Sequence, residues 1–206
     1  MTRHRAEPAG KDFYVTPAGT AWHGAMLLKR ELDNVPLGIA PKVIDAGCGT
    51  GALAAAVRGI DDRVLIDMFD LEIRHDGAHQ LDLFDEAEAE RFIPIHERDR
   101  TLMITNPPYT KWRQFVNALV ERASVVVALG PVTLLDTALK LPQGLTSVNM
   151  TARPRFLGSE HQHPMPHAWF VFYKMRAGTN YGLGRSTTFH VLSDALRDEI
   201  KKRSKS

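Results

Sequence analysis

The sequence predicts an α/β fold in which a single, mostly parallel sheet is covered by helices on both faces. Short apolar segments typical of buried strands alternate along the chain with segments of helical periodicity. Parallel neighbouring strands need such crossover helices between them, and the helices then cover both faces of the sheet. With 206 residues, 44% of them hydrophobic, the chain is long enough to form one domain with its own core. We therefore expect one doubly wound domain.

The first part of this pattern is a helix followed by a strand, a glycine turn and a second helix. Residues 1–12 are charged and carry little to bury, so we expect them to form a mobile arm. Apolar residues recur at helical spacing between Thr16 and Leu32, and the apolar segment 43–46 predicts a strand. The turn 47–51 then leads into residues 52–57, whose alanines and leucine favour a helix.

The rest of the chain continues the alternation. Further strands are predicted at residues 64–69, 102–105, 124–129 and 168–173, and further helices at 111–122 and 134–141. Residues 153–167 hold prolines and three histidines, which predicts a long irregular loop of the kind that often carries function. We place the main domain at residues 13–192 and expect a C-terminal helix with a basic tail at 193–206.

Charge and cysteine content exclude some classes of protein and leave others open. Lys and Arg total 26 against 24 for Asp and Glu, a balance too even to identify or to exclude a polyanionic partner. The single cysteine, Cys48, excludes an intramolecular disulfide and a Cys-rich zinc module. No apolar segment approaches the ~20 residues that span a bilayer, and the N-terminus lacks the apolar stretch of a secretion signal. We therefore expect a cytoplasmic protein that does not enter a membrane.

The turn that contains Gly47, Gly49 and Gly51 is typical of a site for a nucleoside-bearing ligand. Glycine adopts backbone angles closed to other residues and lets a ligand approach the main chain. Such ligands lie beyond the carboxyl ends of the strands, and Asp70 follows the next strand, where it can bond ribose hydroxyls. The glycine spacing differs from G-x-G-x-x-G and no P-loop lysine follows, so phosphate binding is the weaker alternative. A tight turn without a ligand is the structural alternative.

Asn106-Pro107-Pro108-Tyr109 presents hydrogen-bond acceptors directly after a predicted strand. The two prolines lack N–H groups and fix φ, so they stiffen the chain and leave the Pro107 carbonyl as an acceptor. Asn106 adds a side-chain acceptor, and a planar amine between the two would donate both its hydrogens. Tyr109 offers a flat surface on which a base can stack. The structural alternative is a Pro-Pro turn with an asparagine cap.

Taken together, Asp45-Ala46-Gly47-Cys48-Gly49-Thr50-Gly51 and Asn106-Pro107-Pro108-Tyr109 resemble the class I S-adenosylmethionine-dependent methyltransferases that methylate amines. Within that branch the chain is similar to the small phage and prophage DNA adenine N6-methyltransferases. Many of these carry an aromatic-x-Thr-Pro segment ahead of the glycine motif, where this chain has Phe13-Tyr14-Val15-Thr16-Pro17. The resemblance spans residues 12–174. It implies a Rossmann-like sheet of seven strands and methyl transfer to adenine N6 in DNA.

The resemblance also implies which residues contact the cofactor, S-adenosyl-L-methionine. These residues are Phe13, Tyr14, Thr16, Pro17, Asp45, Ala46, Gly47, Cys48, Gly49, Asp70, Leu71, Asp82 and Asn106. Asp45 and the glycine turn would face the methionine part, Asp70 the ribose, and Asp82 the adenine amine. Glu72 is an alternative to Asp70, and Asp85 is an alternative to Asp82. Cys48 is expected to be a turn residue, since no activating partner for a thiolate is evident.

On the substrate side, the implied catalytic residues Asn106, Pro107, Pro108 and Tyr109 would hold the target amine. Transfer to an amine needs alignment and a suitable electrostatic setting more than a nucleophilic side chain. Flipping a base out of a duplex needs contacts that hold the distorted site. The candidates for these contacts are Tyr109, Lys111, Trp112, Arg113, Arg155 and Phe156, with the basic residues of the arm and of the tail.

Several alternatives stay open. His161, His163 and His167 offer a metal hypothesis, although the inferred chemistry needs no metal and we expect none. The amine acceptor could be adenine in RNA or a protein glutamine amide instead of adenine in DNA. A non-enzymatic module that binds the cofactor is a third possibility. The sequence leaves the oligomeric state, monomer or homodimer, undecided.

Overall fold

The computed structural model describes residues 14–35, 38–152, 154, 165–174, 188–191 and 193–204. The predicted mobile arm and the candidate site residues Phe13, Arg155 and Phe156 lie outside these residues, as do His161 and His163. No helix in the described part of the chain is long and apolar enough to cross a membrane.

In the described part of the chain, eight strands form one sheet in the order β3-β2-β1-β4-β5-β7-β6-β8. They are β1 Lys42–Ala46, β2 Ile66–Asp70, β3 His79–Gln80, β4 Thr101–Thr105, β5 Val125–Pro131, β6 Leu145–Met150, β7 His167–Tyr173 and β8 Thr188–His190. Of these eight described strands, only β7 runs antiparallel to its neighbours, β5 and β6. The mostly parallel sheet is confirmed, but the count of seven strands is wrong, because the short exposed strand β8 adds an edge beside β6.

The central strands are buried on both faces, which explains why they appear in the sequence as unbroken apolar segments. Successive side chains of a strand point to opposite faces. In β4, Leu102 and Ile104 join a core formed with α1 (Ala18–Leu32) and α2 (Ala52–Ile60). Met103 joins the second core, which α4 (Trp112–Arg122) covers on the other face. The doubly wound arrangement follows from these two cores.

Helices α1, α2, α4 and α5 (Asp194–Arg203) begin and end within a few residues of the predicted bounds. Helix α3, Glu86–Phe92, was not predicted. The segment predicted as a helix at 134–141 is a 3-10 helix, Val132–Lys140. Helix α5 packs on α1: the guanidinium of Arg203 lies 4.4 Å from the ring centre of Trp22, and Gly19 faces the Ile200 carbonyl.

Trp112 requires a correction, because it belongs to the core and not to a substrate-binding surface. Only 1% of it is exposed. Its indole Nε1 donates to the Leu129 carbonyl at 2.6 Å, and its ring packs against Phe170 and Phe172. A side chain so enclosed has no surface left for a nucleic acid.

Candidate functional site

The glycine turn after β1 has the backbone conformation that its sequence predicts. Gly47, Gly49 and Gly51 have φ of 71°, 54° and 78°, in the left-handed region that side chains disfavour. The N–H groups of Gly47 and Cys48 both donate to the carbonyl of Phe69, at 2.8 and 3.0 Å. The turn is therefore fixed against the carboxyl end of β2.

The side chain of Asp70, the last residue of β2, also holds the glycine turn in place. One carboxylate oxygen accepts from the Gly49 N–H at 2.7 Å, and the other accepts from the Glu72 N–H at 3.1 Å. Arg74 lies 3.6 Å from this carboxylate and pairs with the more exposed Glu72. Each carboxylate oxygen has a further lone pair, so Asp70 can still accept from a ligand hydroxyl.

Asp45 lies beneath the turn and is completely buried. Its Oδ2 accepts from the Ala54 N–H in the first turn of α2 at 3.1 Å, while its Oδ1 has no hydrogen-bond partner among the described residues. Burial raises the pKa of this carboxyl to about 7, the Ala54 hydrogen bond opposes the rise, and the Asp70 charge adds to it. The geometry gives Asp45 a role in joining the turn to α2 and does not bring it to the cavity wall.

A cavity of about 400 Å³ opens beside the turn, within the range of small-molecule sites. It brings together residues that are far apart in sequence, from the segment before α1 to the turn after β4. The predicted site residues that line it are Tyr14, Thr16, Ala46, Gly47, Cys48, Gly49, Asp70, Leu71, Asp82, Asn106, Pro108 and Lys111. Those that do not line it are Pro17, Asp45, Pro107, Tyr109, Trp112 and Arg113.

Part of the cavity lining is formed by buried apolar residues that the sequence motifs do not include. They are Leu53, Phe69, Leu81, Leu83, Ile93 and Phe115. The sequence indicates two of these residues, because Leu81 and Leu83 alternate with Asp82 in the pattern of a strand with one apolar face. An apolar pocket with a few converging polar groups suits a flat ring that carries polar substituents.

The two acidic candidates after β3 have different positions. Asp85 is the N-cap of α3, where its side chain accepts from the N–H groups of Ala87 and Glu88. Asp82 lines the cavity, and its Oδ1 accepts from the Phe84 N–H at 2.9 Å. Of the two alternatives, only Asp82 lies where a cavity ligand can contact it. Both Asp70 and Glu72 line the cavity.

Asn106 follows β4 directly and is one of the residues that line the cavity. Its Nδ2 donates to the Tyr14 carbonyl at 3.1 Å and to the Thr16 hydroxyl at 3.0 Å. Its Oδ1 is shielded from solvent and has no hydrogen-bond partner among the described residues. The preceding residue, Thr105, donates its hydroxyl to the Ala46 carbonyl at 2.5 Å. The turn after β4 and the turn after β1 are thus joined.

Tyr109 is mostly buried and does not present an open stacking surface. The ring of Tyr14 stacks on it with centroids 5.6 Å apart and planes at 22°, and the ring of His167 lies 5.5 Å away. Burial raises the pKa of the Tyr109 phenol well above its ordinary value. A base could reach this ring only where Tyr14 does not cover it, which corrects the prediction of a free platform.

Other side chains complete the surroundings of the cavity. Burial, with the nearby charges of Asp45 and Asp70, raises the pKa of Cys48 to about 12, so it remains a thiol. Lys111 is exposed at the cavity mouth, where its ammonium lies 5.4 Å from the centre of the Phe84 ring. His167 is buried on β7 next to the Met165 carbonyl. No group of three potential metal ligands lies together among the described residues.

Comparison with known proteins gives a fold and no family. No protein-family model matches the sequence, and the comparison with curated proteins gives no match. Among solved structures, a type I restriction-modification methyltransferase subunit from Streptococcus thermophilus has a TM-score of 0.58 at 13% identity, over 93% of this chain and 53% of that one. A protein from Listeria monocytogenes described as a class I S-adenosylmethionine-dependent methyltransferase also has 0.58, at 10% identity over 92% and 70%.

A third neighbour, described as a modification subunit of a type I restriction enzyme from Vibrio vulnificus, has a TM-score of 0.51 at 13% identity, over 94% of this chain and 53% of that one. The chain therefore spans about half the length of both restriction-modification subunits. At such identities the likeness shows a shared fold, and that fold is the Rossmann-like fold of these methyltransferases.

Proposed function

We propose that this chain is an S-adenosylmethionine-dependent methyltransferase that methylates the exocyclic N6 amine of adenine in DNA. The observation that carries the proposal is the position of Asn106. Asn106 lines the same cavity that the glycine turn, Asp70 and Asp82 line, and its amide oxygen has no hydrogen-bond partner among the described residues. The residue that would accept the substrate amine and the residues that would bind a nucleoside ligand therefore line one cavity.

The residues of the cavity fit S-adenosylmethionine. The left-handed turn at Gly47 and Gly49 leaves room for close approach to the main chain, and Asp70 offers acceptors for ribose hydroxyls. The apolar lining suits the adenine ring, and Asp82 suits its amine. When bound, the cofactor would supply an electrophilic methyl group on a positively charged sulfur: as the nitrogen–carbon bond forms, the carbon–sulfur bond would break and its electron pair would stay on the departing, neutral sulfur.

The role of Asn106 follows from the direction of its amide. Both amide hydrogens are used by Tyr14 and Thr16, so the side chain offers only its oxygen to an incoming group. This oxygen would accept one hydrogen of a planar amine, whereas the Pro107 carbonyl, which the resemblance pairs with it, is not part of the cavity lining. Such an acceptor orients the amine and stabilises the positive charge that develops on its nitrogen during alkylation. The surplus proton then passes to water, so no strong base is required.

The proposal of DNA as the substrate rests on two supports. Two structural neighbours are described as modification subunits of restriction systems. Lys111 also places an exposed ammonium at the cavity mouth, where a backbone phosphate would pass if a base entered the cavity. RNA adenine and a protein glutamine amide present the same planar amine, and for this reason the experiment includes them.

The experiment is incubation of the protein with isotopically labelled S-adenosylmethionine and unmethylated DNA, structured RNA or a glutamine-bearing protein. We expect the label in N6-methyladenine from DNA, identified by mass spectrometry of the released nucleosides. Asn106→Ala is the control for transfer that depends on the site. Label found only in RNA or only in protein would overturn the DNA assignment. The absence of transfer to all three would overturn the enzyme assignment.

A further inference from the structure

Two acceptors hold the amide of Asn106 in a single orientation. The Tyr14 carbonyl can only accept a hydrogen bond, so the amide group 3.1 Å from it must be the NH₂ and not the oxygen. The Thr16 hydroxyl accepts the second hydrogen at 3.0 Å. Rotating the amide by half a turn would place Oδ1 against the carbonyl oxygen and leave both acceptors without a donor.

The segment that supplies these acceptors is itself firmly placed. Thr16 is buried, with 6% of its surface exposed, and Pro17 fixes the chain as it enters α1 with φ of −61°. The ring of Tyr14 stacks on Tyr109, three residues beyond Asn106. The segment before α1 and the turn after β4 are thus in contact at two independent places.

We propose that Thr16 is a positioning residue that orients the Asn106 amide and thereby selects an amine over a carbonyl at the reacting position. With Nδ2 occupied, Asn106 accepts from a substrate NH₂ group and repels a carbonyl oxygen. Without the Thr16 hydroxyl, the second amide hydrogen of Asn106 would be available to donate to a substrate carbonyl, and the discrimination would fall. The substrate part of this inference rests on the proposed function, whereas the orientation of the amide does not.

This role differs from the one that the family resemblance implies for the aromatic-x-Thr-Pro segment, which is contact with the cofactor. A cofactor contact predicts that loss of the Thr16 hydroxyl weakens cofactor binding. An orienting contact predicts that cofactor binding is retained and turnover falls. Measuring both turnover and cofactor affinity after loss of the Thr16 hydroxyl therefore distinguishes the two roles.

The first measurement needs no substrate. In the cofactor-free protein, the side-chain NH₂ resonances of Asn106 are identified by their loss in Asn106→Ala. Thr16→Val removes the hydroxyl at nearly constant volume, and we expect these resonances to shift and their hydrogen exchange to accelerate. Thr16→Ser keeps the hydroxyl and should preserve the wild-type spectrum. Unchanged Asn106 resonances in Thr16→Val would overturn the inference.

The second measurement is turnover. Loss of one neutral hydrogen bond lowers a rate or equilibrium constant roughly fivefold. We therefore expect kcat of Thr16→Val to fall about fivefold, while the Kd for S-adenosylmethionine stays within about twofold of the wild-type value. Thr16→Ser should recover most of kcat. Thr146→Val, which removes a hydroxyl that donates to the Val171 carbonyl within the sheet, is the matched control and should match the wild type. Equal loss of kcat and cofactor affinity in Thr16→Val would overturn the inference.

The third measurement tests selection directly. Two single-stranded oligonucleotides are compared as binding competitors. One contains adenine, and in the other every adenine is replaced by hypoxanthine, which presents a carbonyl where adenine has its amine. The wild type should prefer the adenine strand, and Thr16→Val should reduce that preference several-fold; an unchanged ratio would overturn the selection. If the wild type neither binds nor methylates DNA but the Asn106 resonances respond to Thr16→Val, the proposed substrate fails and the orienting role stands.

Discussion

The buried carboxyl of Asp45 leads to a prediction whose size follows from its surroundings. Desolvation is the main reason that its pKa lies at about 7 instead of the ordinary 3.8. A carboxyl whose pKa is higher in the folded chain than in the unfolded chain contributes its full stabilisation when the pH is below the pKa of the unfolded chain. This stabilisation is lost as the pH rises through the pKa of the folded chain. Between these two values the loss amounts to at most about 4 kcal/mol of the free energy of unfolding.

Asp45→Asn removes this titration and keeps an acceptor for the Ala54 N–H. Its new NH₂ group is buried at a position without a described acceptor, which adds a cost that does not depend on pH. We therefore predict the difference in free energy of unfolding, variant minus wild type, and not either value alone. This difference should rise with pH by up to about 1.4 kcal/mol per pH unit between about pH 4 and pH 7.

The assay is urea denaturation followed by circular dichroism at several pH values across this window. Asp67→Asn, at an exposed position of β2, controls for the loss of one negative charge. A difference between Asp45→Asn and the wild type that stays constant across the window would refute the reasoning. It would mean that the Asp45 carboxyl is as well solvated, or as well paired, in the folded chain as in the unfolded one.

Three further predictions concern the site and the docking of α5. Asn106→Ala should abolish methyl transfer while calorimetry finds the cofactor Kd within about threefold, and an equal loss of both would show a structural role. Asp70→Ala should weaken cofactor binding at least about tenfold, because it removes the ribose acceptor and the bond that holds the glycine turn; unchanged affinity would favour Glu72. Gly19→Ala should lower the free energy of unfolding by about 1–3 kcal/mol, since its methyl group meets the Ile200 carbonyl. An unchanged denaturation midpoint would contradict the packing of α5 on α1.

The strands that the sequence predicts correctly are those with the strongest physical signal. β1, β4 and β5 are buried on both faces, so they appear as apolar segments that end at glycine, asparagine or proline. By contrast, β3 has two residues and β8 has three, all of them exposed. Segments of that length show no periodicity, and their pairing depends on neighbours that are distant in sequence.

Local evidence was available for Trp112, a predicted substrate contact, and for Asp85, the alternative to Asp82. Trp112, Phe115, Val116 and Leu119 recur at helical spacing, and this periodicity places Trp112 on the buried face of α4. Its position between Lys111 and Arg113 suggested a nucleic-acid contact instead. Likewise, an aspartate followed three residues later by a glutamate is a helix-capping pattern, and it explains why Asp85 begins α3 and is not in the cavity.

The covering of Tyr109 by Tyr14 had no local signal at all. The two residues are 95 positions apart, and nothing in the sequence around either one specifies the other. The same is true of the bonds from Asn106 to Tyr14 and Thr16. The sequence identifies the chemical groups of the site because they follow strand ends, whereas their mutual orientation depends on how the segment before α1 folds back across the sheet.

These contacts form a continuous path between the two halves of the proposed site. Asp70 holds Gly49, the carbonyl of Ala46 accepts from Thr105, and Asn106 follows Thr105 directly. Every link joins the carboxyl ends of β2, β1 and β4, which are adjacent in the sheet. The relative position of the ribose acceptor and the amine acceptor is therefore set by strand pairing and short hydrogen bonds. Under the proposed function, the sheet itself thus sets the alignment that methyl transfer requires.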